Sequence, residues 1–450
     1  MSKSIFAFVI LISMAIAGCN PKGSDFTKAV HDPLLYCKTV KKLNDIVLEN
    51  NFPPMIAARN YAYANIAAFE VIAAGDSSYH SLAGQIKNMP VTPKPVPGAK
   101  IDYELAALLA FTKVGNAVTF PEGSMMEYYD YLKHVADSSG MPEEMINQSA
   151  VFADTVSNTI MAWAKLDDYA QTRSATKYTV SNDDGRWIPT PPAYSQALEP
   201  HWMEIRPFVL DSASQCRPPT PCAFNMKDTT GKFYKLTMEV KGRVDSLTEE
   251  QKHIADFWDD NPFKLNVSGH VMFGTKKFSP AGHWMNIVGI AAEKQHTDFN
   301  TTVYAYTKTS IALFDGFISC WEEKFRSNRI RPETVINKYV DPNWRPYIQT
   351  PPFPSYTSGH SVISGAAAEV MTNIFGDNFA YRDTSEIEFG INHRSFQSFR
   401  QAALEASVSR LYGGIHYWDD LDMGNKQGIK VGRLVVDKLK MKDHTRTAAN

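Results

Sequence analysis

Cysteine is scarce. The chain has five in 450 residues, and none forms a C-x-x-C pair. A zinc ribbon or a dithiol redox motif is therefore not supported. Charge of one sign is also lacking: the formal net charge is −2, with no long basic or acidic run. That excludes the electrostatic footprint of a nucleic-acid partner. Beyond residue 19, no stretch reaches the ~18 apolar residues of a spanning helix. Residues 304–321 come closest, but Lys308 and Asp315 interrupt them. Strand-type alternation is rare, and no short-period internal repeat is visible. With 44% hydrophobic and 21% charged residues, the composition is that of an ordinary globular protein.

The N-terminus differs from the rest. Lys3 precedes an almost wholly apolar run, Ile5–Ile16, and Ala17-Gly18-Cys19 closes it. This pattern reads as a secretory signal. It resembles the bacterial lipoprotein signal, which implies lipidation at Cys19 and an exported chain held at the cell envelope by acyl chains alone. Cys216 and Cys222 bracket a proline-rich turn and are compatible with a local disulfide, whereas Cys37 and Cys320 read as buried thiols.

The expected organisation is all-α, with two helical bundles. Residues 1–19 are the signal, and 20–50 a tether and lead-in. Residues 51–166 form an N-terminal helical half, where Tyr61, Ala64, Ala68 and Val71 share one face. Residues 167–245 are an irregular connection rich in proline and aromatics, of the kind that covers a site or joins two halves. Residues 246–442 form a C-terminal helical half that holds the chemistry. Its longest helix, 300–325, places Ile311, Phe314, Ile318, Trp321 and Phe325 on one stripe.

Three motifs carry that chemistry. In K-F-R-S-N-R-I-R-P, residues 324–332, Lys324 ends the long helix and Arg331 precedes Pro332. A lysine supplies a point charge and an arginine a planar fork, suited to the several oxygens of a tetrahedral anion. In P-P-F-P-S-Y-T-S-G-H, residues 351–360, Ser358 caps a helix that starts at Gly359. The amides of Gly359 and His360 then sit at its positive end, an anion site. His360 stands at the rim to move a proton. In S-R-L-Y-G-G-I-H-Y-W-D-D, residues 409–420, Arg410 ends one helix and His416 opens the next. Asp420, four residues on, would lie on the same helix face and fix the imidazole tautomer. Each motif alone also fits a solvated helix end, a plain serine cap or a structural His–Asp contact. Together they describe one pocket for phosphate or vanadate.

These motifs resemble the signature shared by type 2 phosphatidic acid phosphatases, class A acid phosphatases and vanadium-dependent haloperoxidases. The match runs from 321 to 420, with Thr357 in place of the family's proline. That swap removes a rigid residue and would add a hydroxyl near the anion. The resemblance implies that Lys324, Arg331, Ser358, Gly359 and Arg410 hold the equatorial oxygens. It also implies that His416 bonds the central atom and His360 serves as acid–base group.

A chain of this length, with no spanning helix, resembles the haloperoxidases more than the phosphatases. Trp321 and Phe353, with the P-P-F-P run, are similar to positions in the vanadium chloroperoxidases, where aromatics shape the halide side. The implied cofactor is vanadate, with phosphate as a competing occupant. The implied reaction is oxidation of a halide or small organic substrate by hydrogen peroxide, with Lys324 polarising the peroxide. The alternatives are a phosphatase acting through a phosphohistidine at His416, and a surface lipoprotein that binds oxyanions without turnover. His283 reads as a helix cap, and Asp259 and Asp260 as exposed acids that could instead pair with Arg410. Nothing in the sequence sets an oligomeric state.

Overall fold

A computed structural model describes residues 25–121, 123–261, 264–268 and 271–443. In chain order the N-terminal helices are α1 (Phe26–Val30), α2 (Pro33–Glu49), α3 (Pro54–Gly75), α4 (Tyr103–Val118), α5 (Met126–Ser138), α6 (Glu143–Ala164) and α7 (Tyr169–Ser174). Then follow α8 (Lys232–Asp245), α9 (Glu249–Phe257), the hairpin β1 (Lys264–Ser268) and β2 (Val271–Thr275), α10 (Pro280–Gln295), α11 (Phe299–Ser327) and α12 (Pro332–Tyr339). The last are α13 (Gly359–Phe375), the short pair β3 (Tyr381–Asp383) and β4 (Arg394–Phe396), α14 (Phe399–Tyr412) and α15 (Trp418–Lys438). Both strand pairs are antiparallel and contribute little beside the helices. The architecture is the expected helical one.

Local sequence sets several of the helix starts. Asp32, Asp102, Ser279, Asp298 and Ser398 each accept a hydrogen bond from a first-turn amide, and Thr248 with Gln251 forms a reciprocal capping box. Pro33 and Pro280 sit at the first helical position, where the missing N–H costs nothing.

Two helices run through the centre. Helix α3 is buried on all sides from Met55 to Ile72, as its alanine-rich sequence dictates, with its two charged residues, Arg59 and Glu70, partnered by Asp167 and by Ser81 and Leu82, and α11 packs along it. The core is continuous across both halves, from Val30 to Met441. The residues expected as a lead-in belong to it: α2 buries Leu35, Tyr36, Val40, Leu43 and Val47. The irregular connection likewise ends sooner than the sequence suggests, because 232–245 is helical. Lys3 to Cys19, the expected signal and lipidation site, lies outside the described residues. Among the described residues, no helix is long and apolar enough to cross a membrane.

The closest crossing positions the site. Helix α15 lays Gly424, Gly428 and Gly432 against α13. A Cβ on Gly428 would lie 2.0 Å from the Val362 carbonyl, and one on Gly424 would lie 3.0 Å from that of Ser358. Only glycine permits that approach. It brings the start of α13 directly against the start of α15.

Candidate active site

The 324–331 segment folds into a clamp. Lys324 is in the last turn of α11, Asn328 ends that helix in a left-handed conformation, and Arg331 with Pro332 opens α12. Lys324 is fully buried. Its Nζ donates to the carbonyls of Pro354 (2.9 Å), Ser355 (3.1 Å) and Thr357 (2.5 Å). Burial pushes its pKa down to about 7.

Arg331 is equally buried. It donates to the carbonyls of Phe353 and Ile415, both at 2.8 Å, and to His416 Nε2 at 3.1 Å. Among the described residues its Nη2 has no partner. Arg410 donates to Ser409 Oγ and to the carbonyls of Trp258 and Asp259. Burial lowers both guanidinium pKa values, yet each remains charged. Two buried cations, Lys324 and Arg331, thus have neutral hydrogen-bond partners throughout. A buried charge so placed is costly unless an opposite charge joins it.

Ser358 caps α13, accepting from the Ser361 amide at 3.3 Å, and its own amide donates to the Asp420 carbonyl at 3.0 Å. The first-turn amides of Gly359 and His360 have no intrahelical acceptor. A Cβ on Gly359 would meet only the Trp321 ring, at 3.8 Å. The α13 terminus is therefore open to an anion, as expected.

His416 departs from the expected placement. It precedes α15 by two residues, so His416 and Asp420 do not share a helix face. Instead the chain turns at Tyr417, and Asp420 accepts the Tyr417 amide at 3.0 Å and His416 Nδ1 at 3.0 Å. A guanidinium cannot accept a hydrogen bond, so Arg331 fixes Nε2 as the unprotonated nitrogen. Nδ1 then carries the proton donated to Asp420. Burial, with Arg331 and Lys324 beside it, holds His416 well below the ordinary histidine pKa. A neutral imidazole with its lone pair aimed into a cationic pocket is a ligand or a nucleophile.

Behind Asp420 stand two groups that sequence reasoning missed. Arg329 Nη1 bridges Asp419 and Asp420, both at 2.7 Å, and the Ser355 hydroxyl donates to Asp420 at 2.5 Å. Both lie inside the quoted motifs. The motif's spacing does not say which of its basic residues faces the anion and which holds the carboxylate from behind.

His360 is half-buried at the pocket mouth, its Nε2 3.4 Å from Asp260 and, among the described residues, without a hydrogen bond. Burial and Arg410 lower its pKa to about 4. Trp321 and Phe353 form one wall, ring centroids 5.0 Å apart, with Lys324 Nζ 5.0 Å from the Phe353 centroid. Leu198, from the irregular connection, accepts the Trp321 indole N–H at 3.2 Å and lines the cavity beside Pro54, Ile348 and Ile415. The cavity is about 60 Å³, room for a few waters or one small oxyanion.

Several expectations need correcting. The Thr357 hydroxyl is not near the anion: it is buried and donates to Gln427 Oε1 at 2.7 Å, while Gln427 holds Ser319. That tie supplies rigidity in place of the family's proline. Cys216 and Cys222 are both free, as are Cys37 and Cys320. His283 does not cap α10; Ser279 does. Asp259 and Asp260 are buried, and Asp260 pairs with His283 and His360.

An oxyanion pocket on converging helix ends, with an oriented imidazole and an aromatic wall, defines a member of the superfamily whose signature the motifs carry. Comparison with known proteins narrows this. The model of the second helical-bundle domain of vanadium chloroperoxidase matches residues 305–444. A bacterial vanadium-dependent iodoperoxidase of known structure is 44% identical, with a TM-score of 0.87, covering 92% of this chain and 98% of that one. The chain belongs to the vanadium-dependent haloperoxidases. A bacterial vanadium-dependent chloroperoxidase shares the fold at 15% identity, with TM-scores of 0.64 for its holo form and 0.65 for its apo form. Its holo structure covers 86% of this chain and 92% of that one. No curated protein matches the chain.

Proposed function

We propose that the protein is a vanadate-dependent peroxidase that oxidises halide with hydrogen peroxide, and that iodide is among its substrates. The observation that carries this reading is the pocket itself: buried cations and a neutral His416 on one side, the Trp321–Phe353 wall on the other. The 44% identity to an iodoperoxidase supports the choice of halide.

The residues fit the cofactor. Among the described residues Arg331 Nη2 lacks a partner, and Lys324 is a buried amine that an anion would hold charged, so both favour an oxyanion. Arg410, the Ser358 hydroxyl and the first amides of α13 would complete the cradle, and His416 Nε2 would bond the central atom. When bound, vanadate supplies a Lewis-acid centre for peroxide activation. The chain's own part is electrostatic and positional. Lys324 and the arginines draw charge off the oxygens. Asp420, held by Arg329 and Ser355, keeps the His416 proton on Nδ1. His360, neutral at pH 7, accepts a proton at the mouth. The aromatic wall lowers the cost of desolvating a large soft anion. The same pocket could instead transfer a phosphoryl group through His416. Purified protein should oxidise iodide only with both peroxide and orthovanadate present. Hydrolysis of p-nitrophenyl phosphate that vanadate inhibits, without iodide oxidation, would reverse the assignment.

The N-terminal pattern ending at Cys19 supports export and lipid anchoring at the cell envelope. Metabolic labelling with a radioactive fatty acid should mark the wild-type protein and not Cys19→Ala; equal labelling of both would contradict this.

A further inference from the structure

Beneath the pocket floor lies a second polar cluster that halide oxidation does not use. Asp260, His283, Asp383 and Glu386 are all buried, the last with 0% exposure. His283 Nδ1 faces Asp260 Oδ1 at 2.9 Å and Glu386 Oε1 at 3.9 Å. The three ligand atoms of Asp260, His283 and Glu386 lie within 4.8 Å of one another. His283 Nε2 is held by Asp383 Oδ2 at 3.0 Å.

Two features point to a cation. Among the described residues neither carboxylate oxygen of Glu386 has a hydrogen-bond partner, though the side chain is sealed from solvent and directed at His283. A buried acid left so is expensive unless something binds it. Further, Asp383 on Nε2 orients His283 as a carboxylate orients a metal-ligating histidine, and an ion would displace the Nδ1 proton that the flanking Asp260 otherwise holds. Ligands at about 2.1 Å from one ion in tetrahedral geometry sit roughly 3.4 Å apart. The separations of 2.9 and 3.9 Å bracket that spacing.

We propose that Asp260 Oδ1, His283 Nδ1 and Glu386 bind one divalent transition-metal ion, zinc being the best match to a mixed nitrogen and oxygen set. This site is distinct from the vanadate pocket and touches it through one residue. The other oxygen of Asp260, Oδ2, faces His360 at 3.4 Å. The cation would thus anchor the carboxylate that faces His360. The inference does not rest on halide oxidation.

The test is elemental analysis by plasma mass spectrometry. Protein is produced with zinc in the medium and dialysed into chelator-free buffer. Wild type and His416→Ala should each retain about one transition-metal ion per chain, and Glu386→Gln and His283→Gln less than about a tenth. Absence of stoichiometric metal from wild type, or full retention in both cluster variants, overturns the site. It would then leave a proton shared between His283 and Asp260. Should the variants misfold, anomalous diffraction at the zinc edge from wild-type crystals decides alone. A peak between Asp260, His283 and Glu386 is expected, and its absence refutes the proposal.

Discussion

Lys324 makes the pocket's anion affinity depend on pH in a calculable way. Its ammonium is buried on three carbonyls, and burial lowers its pKa from 10.5 to about 7. In the free site its charge is therefore lost as pH rises through 7. A bound anion favours the charged form. At ~4 Å and an effective dielectric of ~20, one unit of opposite charge contributes about 4 kcal/mol, or roughly three pH units. The bound-state pKa thus returns to about 10, and binding takes up a proton between the two values. Sulfate is the right probe, because it is tetrahedral and its charge is fixed across this range. From pH 6.5 to 8.5 the charged fraction of free Lys324 falls from about 0.8 to about 0.03, so affinity should weaken roughly 25-fold. An equal shift would carry His360 from about 4 to about 7, adding roughly four-fold at the acid end that Lys324→Met would keep, while His416 starts well below its ordinary value. Calorimetric titration of wild type and Lys324→Met reads this directly. The variant should bind weakly and keep only the roughly four-fold dependence. A flat wild-type profile, or the same slope in Lys324→Met, would refute the reasoning.

Other perturbations follow from the same geometry. Arg329→Met strands the buried Asp419 and Asp420, and should cost about 3–5 kcal/mol in denaturant unfolding at pH 7; a loss below about 1 kcal/mol would show that Arg329 is not their partner. Thr357→Val leaves Gln427 Oε1 unpaired, so stability should fall by about 1–3 kcal/mol with kcat for iodide unchanged. A fall in kcat without loss of stability would place the hydroxyl at the anion after all. His360 charges only as pH drops through about 4, so kcat/KM should decline there and His360→Ala should lack that acid limb. An unchanged acid limb in the variant would remove His360 from the proton-transfer role.

The C-terminal helices were legible because cap and periodicity agree. Ser358 followed by Gly359 marks the start of α13, and the apolar stripe through Trp321 marks α11. The pocket residues could be read for the same reason: each sits on a helix end with a sequence signature. What escaped depends on contacts distant in sequence. Asp260 and His283 read as a surface acid and a cap, and only the packing of α10 against β3 brings them to Asp383. The His416–Asp420 contact was right in partner and wrong in form. Spacing of four suggests a shared helix face, but α15 is capped at Tyr417, so His416 lies outside it and the carboxylate reaches back across a turn. Helix α2 is harder to read, because Lys38, Lys41 and Lys42 interleave with its stripe of Leu35, Val40, Leu43 and Val47.

The proposed function requires that His416 and the cations around it seat vanadate for halide oxidation. The most direct measurement is titration of anion-free protein with orthovanadate, following iodide oxidation at fixed peroxide. The account predicts activity that rises from zero and saturates near one vanadate per chain, and none at any concentration in His416→Ala. Iodide oxidation without vanadate, or undiminished recovery in the His416→Ala variant, would contradict it.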